Sequence, residues 1–339
     1  MKKKRGNRVV RWLVGSVSIA MAVVVLAGVL LAVPSWKTRP TVFGASFDAQ
    51  HAAGLGLDWR QSYLAVLDDL KVKRLRLDSY WSVIEPNEGK YDFIALDYQM
   101  DEAAKHGASV ILTIGRKQPR WPECHVPSWA EKLPETEQQA AVLNMLSVVV
   151  ARYKDSPALK MWQLENEPLL DFGGCPPEDR NFLAQEEALV RSLDSHPIMV
   201  TDSGELNSWL PVSRYGDVLG ATMYRTVWSG RTDKLFSYDY LFPAWIYRAK
   251  ARLVGLVRGK PVLISELQGE PWGARPFVEM SQEERRASLS LGRLMELERF
   301  ARRSQLPEAY WWGVEYWYWE KEINNEPAFW EAARNSFIE

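Results

Sequence analysis

From Thr41 onward the chain alternates two apolar patterns: short β-leaning runs, and longer stretches whose apolar positions recur at helical spacing. The runs predict strands over Val42–Phe47, Lys73–Leu77, Ala108–Ile114, Ala158–Leu164, Pro197–Thr201, Asp217–Tyr224, Pro261–Ser265 and Ala309–Gly313. Between them helices are expected over Asp58–Leu70, Phe93–His106, Glu135–Tyr153, Arg180–Leu193, Trp209–Tyr215, Phe242–Leu256, Ser281–Phe300 and Phe329–Ser336. In the first helix Tyr63, Leu64, Val66, Leu67 and Leu70 gather on one side, and Gly107 stops the second. Eight strand–helix repeats over about 300 residues predict an α/β fold, a (β/α)8 TIM barrel. A doubly wound open sheet is the competing topology. It usually has fewer units and a glycine-rich first turn, and no such phosphate-binding motif follows any strand here.

The N-terminal segment follows a different pattern. Residues 1–11 carry Lys2, Lys3, Lys4, Arg5, Arg8 and Arg11 and no acid, and Trp12–Val33 then runs for 22 residues without a charge. That length crosses the roughly 30 Å hydrocarbon core as a helix, with the basic flank cytoplasmic. Ala32-Val33-Pro34-Ser35 offers no clean small-x-small cleavage site, which favours an uncleaved signal-anchor over a cleaved signal peptide. The expected order is a basic cytoplasmic tail (1–11), a transmembrane signal-anchor (12–33), a stalk (34–41) and one extracytoplasmic domain (42–339). No Pro/Ser/Gly-rich linker divides that domain.

Charge and composition narrow the function. Six of the 42 basic residues lie in the N-terminal segment; the other 36 face 43 acids, a net of about −7, which argues against nucleic acid and anionic membrane surfaces as partners. Two cysteines, four scattered histidines and no CxxC or HxxxH spacing give no metal site, and no cofactor is expected. An exported location permits a Cys124–Cys175 disulfide, with two free thiols as the alternative. Sixteen tryptophans are far more than average usage. Trp81, Trp121, Trp129, Trp209, Trp228, Trp272, Trp317 and Trp319 fall in expected loops, where flat rings suit stacking on the apolar faces of sugars.

In a barrel the chemistry sits at the C-terminal strand ends. Strand two ends at Arg76 and Asp78, strand four at Asn166 and Glu167 before the strand-stopping Pro168, and strand six at Tyr224. Strand seven ends at Glu266 and strand eight at Trp311 and Trp312. Two carboxylates flanking one bond, one protonated and one ionised, are the apparatus of glycoside hydrolysis. An arginine beside the attacking carboxylate favours its ionised form. Glu165 and Glu270 compete with these two glutamates, and His125 lies in the long loop after strand three.

Trp162-Gln163-Leu164-Glu165-Asn166-Glu167-Pro168 at the fourth strand, with Glu266 at the seventh, resembles the clan of (β/α)8 retaining glycoside hydrolases that includes the family 5 cellulases. Arg74–Tyr98 is similar to the family 42 and family 35 β-galactosidases of that clan. The resemblance implies double displacement on a β-glycosidic bond, with Glu167 as general acid/base and Glu266 as nucleophile. It assigns Asn166 to the sugar 2-hydroxyl, Arg76 and Tyr224 to orienting the nucleophile, and Trp312 to the subsite floor. Strand three ends without the histidine that many family 5 members carry, and strand six gives Met223-Tyr224 in place of a His-x-Tyr pattern. The expected partner is a carbohydrate, bound by a monomer held at the membrane by its N-terminal helix. A transglycosidase with the same residues and a non-catalytic carbohydrate-binding barrel are the alternatives.

Overall fold

The computed structural model describes residues 28, 33–34, 40–175 and 179–338. The expected cytoplasmic tail, most of the signal-anchor and most of the stalk lie outside them. Among the described residues no helix is long and apolar enough to cross a membrane.

Eight parallel strands close into a barrel: β1 (Val42–Phe47), β2 (Arg74–Asp78), β3 (Ser109–Ile114), β4 (Leu159–Leu164), β5 (Ile198–Asp202), β6 (Val218–Met223), β9 (Val262–Gln268) and β10 (Glu308–Trp312). Around the ring the order is β1-β10-β9-β6-β5-β4-β3-β2, so no open sheet edge remains. Two further strands, β7 (Thr226–Ser229) and β8 (Lys234–Ser237), pair antiparallel as a hairpin above β6 that the sequence pattern does not announce. The helices Glu135–Tyr153 and Arg180–Leu193 match expectation to the residue. Glu135–Tyr153 opens on Glu135 and Glu137 and closes on Arg152, each favoured by the helix dipole.

The interior is layered by the two-residue period of the strands. Ile111, Met161, Met199, Leu263 and Tyr310 form a dry plug inside the barrel, and Gly44 clears space for the Tyr310 ring, which a Cβ there would approach to 2.8 Å. One strand shows the logic: Leu75 and Leu77 of β2 are fully buried in the main apolar core, while Arg76, between them in sequence, hydrogen-bonds to residues of β4 and β9. The barrel mouth above the plug is therefore polar by construction.

Three expectations are corrected. The stretch Ser281–Phe300 is two helices, Gln282–Ser288 and Leu291–Ser304, because Ser290 caps a new helix by accepting the Arg293 N–H at 3.1 Å. The loop tryptophans are largely structural: Trp81, Trp209 and Trp317 are fully buried, and Trp317 and Trp319 lie on a helix, Val314–Glu322. Strand β9 does not stop at Ser265 but runs on to Gln268. Its pairing with β6 slips by one residue, from Ala221↔Ile264 to Thr222↔Glu266. That bulge restores the inward phase at Glu266, which an unbroken alternation from Leu263 would have turned outward.

Candidate active site

The end of β4 is built from backbone. Glu165 and Glu167 both take left-handed φ, +56° and +43°, a conformation that costs a non-glycine residue free energy and persists only where surroundings dictate it. Here they do. The N–H groups of Glu165 and Asn166 donate to the carbonyls of Ile114 (2.9 Å) and Lys117 (2.6 Å), and that of Glu167 donates to Thr201 Oγ1 (2.8 Å). Lys117 Nζ in turn donates to the carbonyls of Glu167 and Leu170. The Glu165 carboxylate accepts the N–H groups of Arg116 (2.7 Å) and Lys117 (2.5 Å), so it clamps the loop after β3 rather than facing a ligand. Gly115, at φ +122°, makes this possible, since a Cβ there would stand 2.2 Å from Glu165 Oε1.

Glu266 is gripped from two sides. Arg76 Nη1 donates to Oε1 at 2.9 Å and the Tyr224 hydroxyl to Oε2 at 2.8 Å. Arg76 is itself fixed: Nε donates to Gln163 Oε1 (2.7 Å) and Nη2 to Asn166 Oδ1 (3.0 Å). With its oxygen occupied by Arg76, Asn166 is left to offer its NH2 group to the barrel mouth. Burial, then the charge of Glu266, pushes the Tyr224 phenol well above its ordinary range, so it stays a donor.

Glu167 has the opposite environment. Among the described residues its carboxyl group has one hydrogen-bond donor, the Thr222 hydroxyl, 3.3 Å from Oε1, and Thr222 is the β6 residue in register with Glu266. Burial first, then repulsion from Glu266, Glu123 and Asp202, pushes the Glu167 carboxyl well above its ordinary value. One carboxylate bonded to a cation thus stands near another whose pKa burial pushes upward.

Of the residues expected from sequence, Arg76, Asn166, Tyr224 and Glu266 form one hydrogen-bonded group, and Glu167 joins it through Thr201, which accepts the Glu167 N–H and donates to Asn166 Oδ1 at 3.3 Å. Trp312, at the end of β10, belongs to a neighbouring group: Nε1–H donates to Glu270 (3.0 Å), and the Arg120 guanidinium lies over its ring at 4.4 Å. Glu270 is therefore a partner of Trp312 and Arg120. His125 stacks on Tyr80 with ring centroids 3.8 Å apart, its Nε2 against the carbonyls of Pro119 and Arg120, and burial lowers its pKa, so it supports the loop as a neutral ring. Asp78 is pushed up to about 8 by burial despite Arg76 nearby. Cys124 and Cys175 are bonded, tying the loops after β3 and β4 together.

Sequence reasoning missed Arg120, Lys117, Glu123, Thr201 and Thr222. Loop residues carry no periodicity to betray them, and the threonines read as ordinary strand residues. Of the loop tryptophans singled out from the sequence, Trp272 is half-buried and stands edge-on to Tyr224 at 5.2 Å.

Comparison with known proteins follows the same lines. A family model for beta-galactosidases, Glyco_hydro_42, matches residues 59–142. Beta-galactosidase BgaB of Geobacillus sp. is 29% identical over 114 residues, 28% of this chain and 17% of that protein. Mannan endo-1,4-beta-mannosidase F of Aspergillus clavatus is 29% identical over 140 residues, 38% of this chain and 30% of that protein. The chain thus spans less than a third of these curated relatives. A GH5_18 structure from Streptomyces cattleya, in complex with GlcNAc, superposes with a TM-score of 0.58 at 15% identity, over 81% of this chain and 71% of that one, a likeness of fold.

Proposed function

We propose that this chain, whose resemblance to the clan of (β/α)8 glycoside hydrolases holds in both sequence and fold, is a retaining β-glycosidase. The observation that carries the reading is the unequal treatment of two glutamates at one barrel mouth: Glu266 held by Arg76 and Tyr224, Glu167 buried and raised. Glu266 attacks the anomeric carbon while Glu167 gives its proton to the departing glycosidic oxygen. The glycosyl ester on Glu266 is then hydrolysed by a water that Glu167, now a base, deprotonates. Asn166 holds the sugar 2-hydroxyl through its NH2 group. The raised pKa of Glu167 suits the acid role, and its return to the protonated state closes the cycle.

The membrane topology belongs to the same proposal. Six basic residues before 22 uncharged ones support an N-terminal anchor that leaves the barrel outside the cytoplasm.

The test is a panel of chromogenic aryl β-glycosides, followed by a 2-deoxy-2-fluoro glycoside of whichever sugar is turned over. The expected result is one sugar added per chain by intact mass, with the label on the peptide containing Glu266. Turnover with the label elsewhere, or no turnover of any β-glycoside or β-linked oligosaccharide, overturns the reading.

A further inference from the structure

Arg120 belongs to the loop after β3, yet its side chain ends among residues from the opposite arc of the barrel. Nε lies 3.2 Å from Asp48 after β1, Nη1 3.1 Å from Glu270 after β9, and Nη2 3.8 Å from Glu315 after β10. The guanidinium also covers a face of Trp312 at the end of β10. The arginine therefore bridges the mouth of the barrel from β3 to β10. Its own anchorage is firm. Arg120 sits at φ +74°, and its carbonyl accepts the Glu123 N–H at 2.7 Å and lies 3.2 Å from His125 Nε2. Cys124 fastens the same loop to the loop after β4, and the Tyr80 hydroxyl lies within hydrogen-bond distance of both Asp48 Oδ2 (2.8 Å) and the carbonyl of Pro119 (3.0 Å).

The ring order gives this bridge a meaning. Between Glu167 after β4 and Glu266 on β9 the mouth has two halves, one over β5 and β6, the other over β10, β1, β2 and β3. Glu167 is bonded to Thr201 of β5 and Thr222 of β6, so the leaving group it protonates departs over the first half. The glycone, held by Glu266, Arg76 and Asn166, lies toward the second, and that is the half Arg120 spans.

We propose that Arg120 closes the glycone side of the cleft, so that the site accepts one terminal sugar and cuts from chain ends. This rests on the assignment of Glu167 and Glu266 above. Trp312 is then a buttress for the wall, its ring face stacked by a cation. The outer hydroxyls of the bound sugar meet Arg120 and Glu270, charged groups that favour a neutral, hydroxyl-rich terminus.

The test compares the protein with Arg120→Ala and Arg120→Lys on aryl monoglycosides and on β-linked gluco-, manno- and galacto-oligosaccharides of increasing length. Expected for the unaltered protein are monosaccharide products and a kcat/KM that does not grow with added glycone units. Arg120→Ala is expected to release longer products and to raise kcat/KM on the longest oligosaccharide at least about tenfold relative to the monoglycoside. Arg120→Lys, which keeps the charge but loses the fork and the stack, should fall between and covers the case in which alanine unfolds the loop. Calorimetric titration of Glu266→Gln keeps the inference apart from the catalytic reading. Equal affinity for the monosaccharide and for longer chains supports the wall even if no turnover is found. Oligosaccharide products from the unaltered protein, affinity that rises tenfold or more with length, or an unchanged product pattern in both Arg120 variants overturns it.

Discussion

The ends of β4 and β9 each supply one glutamate, and they hold it by different means. Glu266 lies inside a strand, aimed by a one-residue bulge and fixed by two side-chain donors. Glu167 lies beyond its strand, in left-handed backbone, fixed by main-chain bonds to three neighbouring segments and given one long hydrogen bond at its carboxyl group. The contrast suits the two tasks proposed for them. An attacking carboxylate needs a charged, rigid setting, whereas a proton carrier needs few donors and a dry one that shifts its pKa upward.

Replacing each glutamate by glutamine gives the largest effects. Under the proposed mechanism Glu266→Gln should lower kcat/KM roughly 10⁴-fold or more on every aryl glycoside, because no other group takes over the covalent step. Glu167→Gln should cost roughly 10²–10⁴-fold, the range for a lost general acid. That loss should shrink in the first step as the leaving phenol becomes more acidic. Burst and steady-state kinetics across a series of phenols check this, and losses independent of the leaving group in both variants would erase the distinction.

The two ends also differ in how far they can be read. Pro168 after a charged pair marks where β4 stops, and the eight-unit rhythm follows from apolar periodicity alone. The strand limits hold to within one or two residues except at β9. There the bulge at Ser265 depends on how β6 and β10 pair, which no local pattern encodes. Arg120 was invisible for a related reason: its partners Asp48, Glu270 and Glu315 are far away in sequence and meet it only when the barrel closes. Trp317 shows the opposite error. It reads as a loop aromatic because the short helix after β10 has no single apolar stripe: Glu315 and Glu320 are buried alongside Tyr316, Trp317 and Trp319.

A smaller effect probes the grip on Glu266. Tyr224→Phe removes one hydrogen bond to a charged group, worth about 1.5–3 kcal/mol, so kcat should fall about 10- to 100-fold. KM for the aryl glycoside should change little, because the bond is to the proposed nucleophile rather than to the sugar. An equal rise in KM would reassign Tyr224 to substrate binding.

Stability separates the ends further. Gly115→Ala places a methyl against the Glu165 carboxylate at a φ that only glycine adopts freely, so unfolding free energy should drop by about 1–3 kcal/mol. At β9 the buried Ser265 hydroxyl has no hydrogen-bond partner among the described residues, so Ser265→Ala should leave stability unchanged or raise it. Urea unfolding of the two variants measures the difference. A costly serine and a harmless glycine substitution would mean the backbone of the β3–β4 region is not what holds Glu167.

The gentlest probe is pH, and its sign follows from the direction of each shift. Burial pushes Asp78 up to about 8 from an ordinary 3.8, and Glu123 and Glu315 up to about 8 from 4.5. A carboxyl raised on folding contributes stability that is complete below its unfolded pKa and is lost as pH climbs through the folded one. Stability should therefore decline between about pH 4 and pH 8. Asp97 acts in the other direction. Burial opposes its charge, but bonds from Arg152 and Tyr153 outweigh that and lower its pKa, so its contribution disappears on acidification. Together these place the optimum on the mildly acidic side of neutrality. Tm should fall steadily from pH 5 to pH 8 at constant ionic strength. Glu123, which repels Glu167 on the β4 side, supplies the site-specific control, since Glu123→Gln should flatten that slope. A Tm that rises from pH 5 to pH 8 would show that these acids are ionised and well solvated. The dry setting claimed for Glu167 would then lose its support.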